Sequence, residues 1–426
     1  MTEGNPGLSI GRMICFHPAV AVRMLVILAM MLRGSCVLAA APVVSNVRAS
    51  QRAGSKVVDI YYDLADPDSA TVRVSLQISS DGGTTWVVPA QTLVGTGFGD
   101  LVKPGNGRWI KWDAGVDWNG QVSDKIRFRV IANDDPVPAG MALIPAGNFA
   151  MGNSTDAAEG SSNELPVHTV YVSAFYVDRY LVTKQLWDDV RAWGLSNGYT
   201  DLPVGNGKAA NHPVQAITWY AMVKWCNARS ERDGLTPVYY TNDAQTVIYK
   251  TGSVDVTNAQ VKWNANGYRL PTEAEWEKAA RGGLSGQRFP WGATITHSQA
   301  NYNSSSNYSY DVSPTRGYHP TFAVNGYPYT GPVGYFAPNG YGLYDMAGNV
   351  QEWCWDWFGS TYYSSSPSSD PQGPPDPQDP PQGPYRVIRG GNWYSAGGAR
   401  GARVASRTSF WPNLSDFSFG CRSVRR

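Results

Sequence analysis

The chain is poor in charge, histidine and cysteine, and each shortage closes off a class of function. Charged side chains make up 16% of its 426 residues and nearly cancel, leaving a formal charge of +1. With no broad basic field and no acidic tail, nothing in the composition draws the chain to nucleic acid. Of five histidines, only His168, His212, His297 and His319 lie beyond the N-terminal leader. None forms an HxxxH or HxE pairing, so a nonheme iron site of two histidines and a carboxylate has no signature here, and each reads as a hydrogen-bonded structural imidazole. Cysteine is equally scarce: Cys15 and Cys36 fall in the leader, which leaves Cys226, Cys354 and Cys421. No CxxC or Cys/His spacing suggests zinc. In an exported chain Cys226, on a helical pattern, can pair with Cys421, on the last strand; three buried apolar thiols are the alternative. No GxSxG elbow accompanies Ser395, so a hydrolase triad has no support.

What the chain has instead is 16 Trp, 24 Tyr, 45 Gly and 29 Pro, the profile of a loop-rich globular protein. Its leader places Arg23 before "MLVILAMML" and closes with the small residues of "CVLAAAPVV". A basic flank, a short apolar core and a small-residue end describe an export signal over residues 1–40, with cleavage near Ala39 to Ala41. The apolar run is short for a bilayer span, so an uncleaved anchor is the one membrane attachment the sequence offers.

Two textures follow. Over 41–136, segments such as "KVVDIYYDL" and "ATVRVSLQIS" alternate apolar and polar residues between turn signals, which predicts a β-sandwich of immunoglobulin or fibronectin type. Its aspartates stand where turns want them. After a break at "NDDPVPAG", near Pro136, helical periodicity appears in "LWDDVRAWGL", "WYAMVKWCNARSERDG" and "PTEAEWEKAARGG". In the last of these Thr272 and Glu275 form a capping box, and Gly282 stops the helix. Glu273, Glu275 and Glu277 share this helix, and their expected work is to cap it, to meet solvent and to pair with Arg269 or Arg281. Trp353, Trp355 and Trp357 are expected in the core. Two insertions, "NYNSSSNYSY" and the proline-rich 364–384, read as mobile surface loops.

The landmarks "MALIPAGNFAMG", "HPVQAITWYAMVKWCN", "GYRLPTEAEWEKAARGG", "NGYGLYDMAGNVQEW", "RVIRGGNW" and "FGCRSV" follow one another in this order. Over residues 140–426 the chain thereby resembles the sulfatase-modifying-factor family, whose founding member is the formylglycine-generating enzyme. The resemblance implies an irregular mixed α+β domain related to C-type lectins, placed after the β-sandwich. It also implies two copper-binding cysteines after the "RGG" strand, at Ser395 and near Ala399 or Arg400, and an oxygen-pocket serine at Asn392. None of these positions carries the family's residue. A serine hydroxyl cannot replace a thiolate as a soft copper ligand, so copper is not expected and no catalytic residue is assigned. The resemblance further maps calcium onto Asp345, Gly348, Val350 and Glu352, with carbonyls from the glycine and valine. A second calcium set maps onto Asn301, Tyr302, Asn325 and Tyr327, where Asn325 replaces the family's aspartate. Oxygen-rich turns of this kind suit a hard cation.

The fold does not carry chemistry with it, and two readings of function follow. In the first, the chain recognises a protein or carbohydrate ligand through Asn392, Trp393, Tyr394, Ser395, Arg400, Arg403, Arg407 and Trp411, a stretch used as a variable ligand surface elsewhere in this fold. Aromatic and arginine side chains on a rigid frame are typical contact residues, although the arginines could equally pair with scaffold acids. In the second, a formylglycine-type oxidase or another nonheme-metal maturation enzyme works from a different site.

Overall fold

The structure, a computed structural model, describes residues 40–426 except 87, 91, 135–136, 157, 325, 378–382 and 395–396, and only the backbone of 100 and 101. The leader and the break at Pro136 therefore lie outside the described residues. Among the described residues no helix is long and apolar enough to cross a membrane.

Alternating residues build the first part of the chain. Strands β1 (Val43–Gln51), β2 (Val57–Ala65), β3 (Val72–Ser79), β4 (Leu93–Val94), β5 (Gly99–Val102), β6 (Gly105–Asp113) and β7 (Arg127–Asn133) form two antiparallel sheets, ordered β1-β2-β6-β4 and β5-β3-β7. Along β3, Val72, Val74, Leu76 and Ile78 are buried while the residues between them are half-exposed, as period two requires. They join Ile60, Tyr62, Ile110 and Trp112 in one apolar cluster that spans both sheets. After β3 the chain turns on Gly82 and Gly83, whose positive φ values suit glycine. Asp81 anchors this turn by accepting from Thr85 N and Ser79 Oγ. A one-turn helix α1 (Ala114–Asp117) is capped by the Asp113 side chain.

The second part has few long elements. Strands β8 (Met141–Ile144) and β11 (Phe175–Asp178) pair with each other and with β16 (Val424–Arg425), which ties the two ends of this region together. Strands β9 (Gly147–Met151) and β10 (His168–Val172) form a separate ribbon. A four-stranded sheet orders β14 (Thr408–Phe410), β13 (Arg386–Arg389), β12 (Gln351–Trp357) and β15 (Phe419–Gly420). Helices α2 (Lys184–Leu195) and α3 (Trp219–Arg232) pack together, and Trp187 and Trp225 stack between them at 5.5 Å. Helix α4 (Glu273–Arg281) starts on the expected capping box and stops at Gly282, which is left-handed at φ 58.

Every residue of α4 is buried, including its charged ones. The capping and the pairing with Arg269 and Arg281 expected of its acids are present, but none of the three meets solvent. Glu275 takes both terminal nitrogens of Arg269 at 2.6 and 2.7 Å. Glu277 accepts from Arg281 at 2.7 Å, from Gly152 N at 2.8 Å and from Arg389. Glu273 holds Arg407 at 2.7 and 2.8 Å. Trp353, Trp355 and Trp357 are buried as expected.

Three further expectations need correction. The insertion at 301–310 is folded inward: Tyr302 and Tyr310 are buried, and Asp311 receives the Tyr302 hydroxyl at 2.6 Å. The proline-rich loop is pinned at its start, because Asp370 accepts from Ser173 N and Oγ and the chain exchanges backbone hydrogen bonds with Tyr171. Cys226 and Cys421 are free, like Cys354, and all three are buried. Cys226 and Cys421 pack as small apolar groups in the main core, where desolvation raises their thiols and leaves no thiolate to start oxidation.

Two stability predictions follow from these buried charges. Replacing Glu277 by alanine strands Arg281 and leaves Arg389 only the longer contact to Glu273 at 3.6 Å, so urea unfolding should show a loss of about 3–5 kcal/mol. Lys278 donates to Gly147 O and Val172 O, and burial pulls its ammonium down from 10.5 to about 7. Between these values the unfolded chain binds more protons than the folded one, so stability rises with pH across that window and the full cost of the buried charge is felt below it. Unfolding of the wild type and Lys278→Met at about pH 7 and pH 9 should show this rise only in the wild type.

Candidate functional site

The site region begins where β13 ends. Gly390 and Gly391 both have positive φ, and a Cβ on Gly391 would lie 2.8 Å from Ala402 N. Only this double glycine lets the chain reverse and press against the one-turn helix α5 (Gly398–Gly401). The reversal drives Asn392 and Trp393 inward. Asn392 donates to Gln351 Oε1 at 2.7 Å and accepts from Tyr394 N at 2.9 Å. Trp393 is 1% exposed, and its indole donates to Phe417 O at 3.4 Å. Tyr394 emerges at 51% exposure.

Trp393 is the floor of an aromatic face that sequence reasoning did not assemble. The Tyr327 ring meets Trp393 at 4.9 Å, Phe417 at 5.8 Å and Tyr394 at 6.4 Å. Tyr318 meets Trp393 at 6.0 Å from the other side. Tyr318, Tyr327, Tyr394 and Phe417 are all exposed. They come from three loops with no common spacing. The only local hint was tyrosine within turn-rich segments such as "GYHP" and "NGYPYTGP".

The arginines of the expected surface behave differently. Arg403 is 1% exposed and forks onto Glu164 at 2.7 and 2.8 Å. Arg407 is likewise buried on Glu273 and lies over the Tyr363 ring at 4.1 Å. Neither can meet a partner, and Asn392 and Trp393 are also withdrawn from the surface. The bidentate fork takes one edge of each guanidinium, and further donors are spent on backbone oxygens, Arg403 Nε on Arg400 O and Arg407 Nη1 on Asn163 O and Gly359 O. Arg400 is half-buried and reaches Glu159 O, Gly160 O and Ser161 Oγ. Trp411 is exposed and packs edge-on against Tyr385 at 4.9 Å. Ser395 lies outside the described residues.

The two oxygen-rich turns adjoin each other. Asp345, Gly348 and Asn349 all have positive φ, and Asn349 N donates to Asn301 O at 2.7 Å. A Cβ on Gly348 would sit 2.4 Å from that same carbonyl. Asp345 accepts from Gly334 N at 2.7 Å, and burial lifts its carboxyl to about 6, with the Glu352 charge pushing the same way. Both oxygens of Glu352 are engaged by Arg422, at 2.6 and 3.0 Å, and Trp276 donates to one of them. Val350 is fully buried. In the other set, Asn301 Oδ1 is buried without a hydrogen-bond partner among the described residues, Tyr302 O contacts His297 Nε2 at 3.1 Å, and the Tyr327 side chain is exposed. Asn325 lies outside the described residues. His297 turns its ring nitrogens to Thr315 Oγ1 and Tyr302 O, His319 to His297 O and Thr321 N, His212 Nδ1 to Thr330 Oγ1 and His168 Nδ1 to Pro166 O, while His168 Nε2 is buried without a partner among the described residues.

The separation of surface from scaffold can be tested by unfolding. Tyr394→Ala should leave stability within about 0.5 kcal/mol, whereas Arg403→Ala should cost about 3–5 kcal/mol by stranding Glu164.

Comparison with known proteins places this geometry. Residues 128–426 match the model of the sulfatase-modifying factor enzyme 1-like domain. The formylglycine-generating enzyme of Streptomyces coelicolor is 34% identical over 66% of this chain and 88% of its own. Similar identity, 33%, links the chain to the chaperone protein LppX of Paenibacillus barcinonensis, over 60% of this chain and 84% of that one. It also links it to the serine/threonine-protein kinase pkn1 of Chlamydia pneumoniae, over 68% of this chain and 38% of that one. Among solved structures, Treponema denticola variable protein 1 superposes with a TM-score of 0.50 at 30% identity, covering 68% of this chain and 98% of its own.

Proposed function

The chain belongs to the sulfatase-modifying factor enzyme 1-like family, and we propose that within it this member is an exported recognition module that does not perform copper-dependent oxidation. The observation that carries this reading is the exchange of donors for aromatics. Where the resemblance expects sulfur, the described residues offer buried Ala399 and the guanidinium of Arg400, and the three thiols beyond the leader are sealed in the core. Copper(I) needs soft ligands, and this donor set does not fit it. The same stretch supports an exposed face of Tyr318, Tyr327, Tyr394 and Phe417 over a buried tryptophan. Aromatic side chains give large contact area at low entropic cost, which suits a protein or carbohydrate ligand. Relatives named as a formylglycine-generating enzyme, a chaperone protein and a serine/threonine-protein kinase support separating the domain from any one chemistry.

The two N-terminal sheets and their shared apolar cluster support an immunoglobulin- or fibronectin-type sandwich ahead of this domain. Calcium completes the oxygen-rich turns. The unpartnered Asn301 Oδ1 supports the second set, and the raised Asp345 carboxyl supports the first, because a cation there would stabilise the ionised form. Glu352, already held by Arg422, offers the weaker charge.

Purified full chain should take up no cuprous ion tightly and consume no dioxygen with a cysteine-containing sulfatase peptide; turnover would overthrow the non-catalytic reading. Added calcium should raise the unfolding temperature relative to chelator, and Asn301→Ala with Asp345→Ala should abolish that shift. An unchanged unfolding temperature would remove calcium from the proposal.

A further inference from the structure

We propose that the open cleft between the Ala158–Glu159 turn, the 307–310 loop and Arg400 binds a small ring-shaped carboxylate, an acidic monosaccharide. It has a volume of about 400 Å³, within the range of small-ligand sites. It shares no lining residue with the aromatic face and so goes beyond the recognition reading.

Charge is the first argument. Three guanidiniums converge on this corner. Arg288 is matched by Glu159, at 2.7 and 2.9 Å, and Arg403 by Glu164. The hydrogen bonds of Arg400 end on neutral oxygens only: Glu159 O at 3.3 Å, Gly160 O at 3.2 Å and Ser161 Oγ at 3.0 Å. Among the described residues Arg400 has no carboxylate partner: the nearby Asp156 turns its Oδ1 to Ala158 N at 2.8 Å, and the other two acids are taken by Arg288 and Arg403. A carboxylate is the natural complement of a guanidinium, because charge-assisted pairing is stronger than a bond to a neutral oxygen.

The second argument is an unspent donor. Tyr310 lines the cleft at 5% exposure, yet its hydroxyl has no hydrogen-bond partner among the described residues. Burying a hydroxyl without a partner is costly, and native structures avoid it unless something outside the chain completes the bond. Burial raises this phenol, with Arg403 opposing and Glu159 assisting, so the hydroxyl keeps its proton at neutral pH. Its ring is fixed by Arg288 over it at 4.8 Å and by Tyr308 stacked nearly parallel at 5.4 Å.

Shape supplies the ligand class. The half-buried Tyr308 offers an aromatic wall and the exposed Asn307 an amide with both donors and an acceptor. An apolar wall beside a cation, a phenol and an amide matches a pyranose: its C–H surface packs on the ring, its hydroxyls meet the polar groups, and its carboxylate meets Arg400.

Calorimetric titration of the full chain with galacturonate, methyl glucoside and benzoate tests this. Galacturonate should bind at least about tenfold more tightly than the neutral glycoside or the aromatic anion. Arg400→Gln should erase the preference and Arg400→Lys restore part of it. Tyr310→Phe should weaken galacturonate several-fold without lowering the unfolding temperature, since the hydroxyl makes no bond among the described residues; this variant decides the matter if Arg400→Gln fails to fold. Phe417→Ala, on the aromatic face, should leave galacturonate binding unchanged, so that failure of one reading does not entail failure of the other. Equal binding of the three probes, tighter binding of benzoate, or full galacturonate affinity in Tyr310→Phe would overturn the proposal.

Discussion

Buried pairing of arginine with carboxylate is the interaction on which the rest of this structure depends. Arg269, Arg389, Arg403, Arg407 and Arg422 are all buried, and each reaches an acid contributed by a distant segment or by the start of α4. Desolvating such charges costs several kcal/mol per ion, so each pair holds only if its geometry is met. That requirement makes the lattice a positioning device. It fixes Glu164 near the start of the domain against residue 403 near its end, and α4 against β13, where neither long helices nor broad sheets are available to do so. Arg386 is the exception: it lies between Trp219 at 3.8 Å and Trp357 at 3.3 Å without a paired acid among the described residues, and burial pulls it down to about 9. Here cation–π attraction and the carbonyl of Trp355 stand in for a carboxylate.

The lattice also sorts residues into frame and surface. Arg403 and Arg407 fork onto buried glutamates and are themselves buried, which removes them from the contact surface and leaves Arg400 as the cation of that stretch without a carboxylate among the described residues. The double glycine after β13 completes the sorting by turning Trp393 inward and Tyr394 outward. Loops then bring Tyr318, Tyr327 and Phe417 around this pair. The surface is therefore a by-product of how the frame is tied, and its chemistry is aromatic rather than thiol-based.

Much of this was legible where the physics is local. The alternation of β3, the capping box at Thr272 and Glu275, and the left-handed stop at Gly282 each depend on neighbours a few residues away, and each formed as its pattern implied. The ordered motifs from "GYRLPTEAEWE" to "RVIRGGNW" likewise pointed to the family. The burial of Glu273, Glu275 and Glu277 was not legible, because a helix of charged residues reads as solvent-facing until its partners are known. The same holds for the insertion at 301–310, whose serines and asparagines resemble a mobile loop although Tyr302 and Tyr310 anchor it.

By itself the sequence determined which elements form, which motifs recur and which soft donors are missing, since these are properties of composition and near neighbours. Only the tertiary structure decided which arginines are spent on internal acids, that Cys226 and Cys421 remain separate thiols, and which tyrosines from unrelated loops share one face. Those outcomes turn on long-range desolvation and pairing, and no spacing along the chain encodes them.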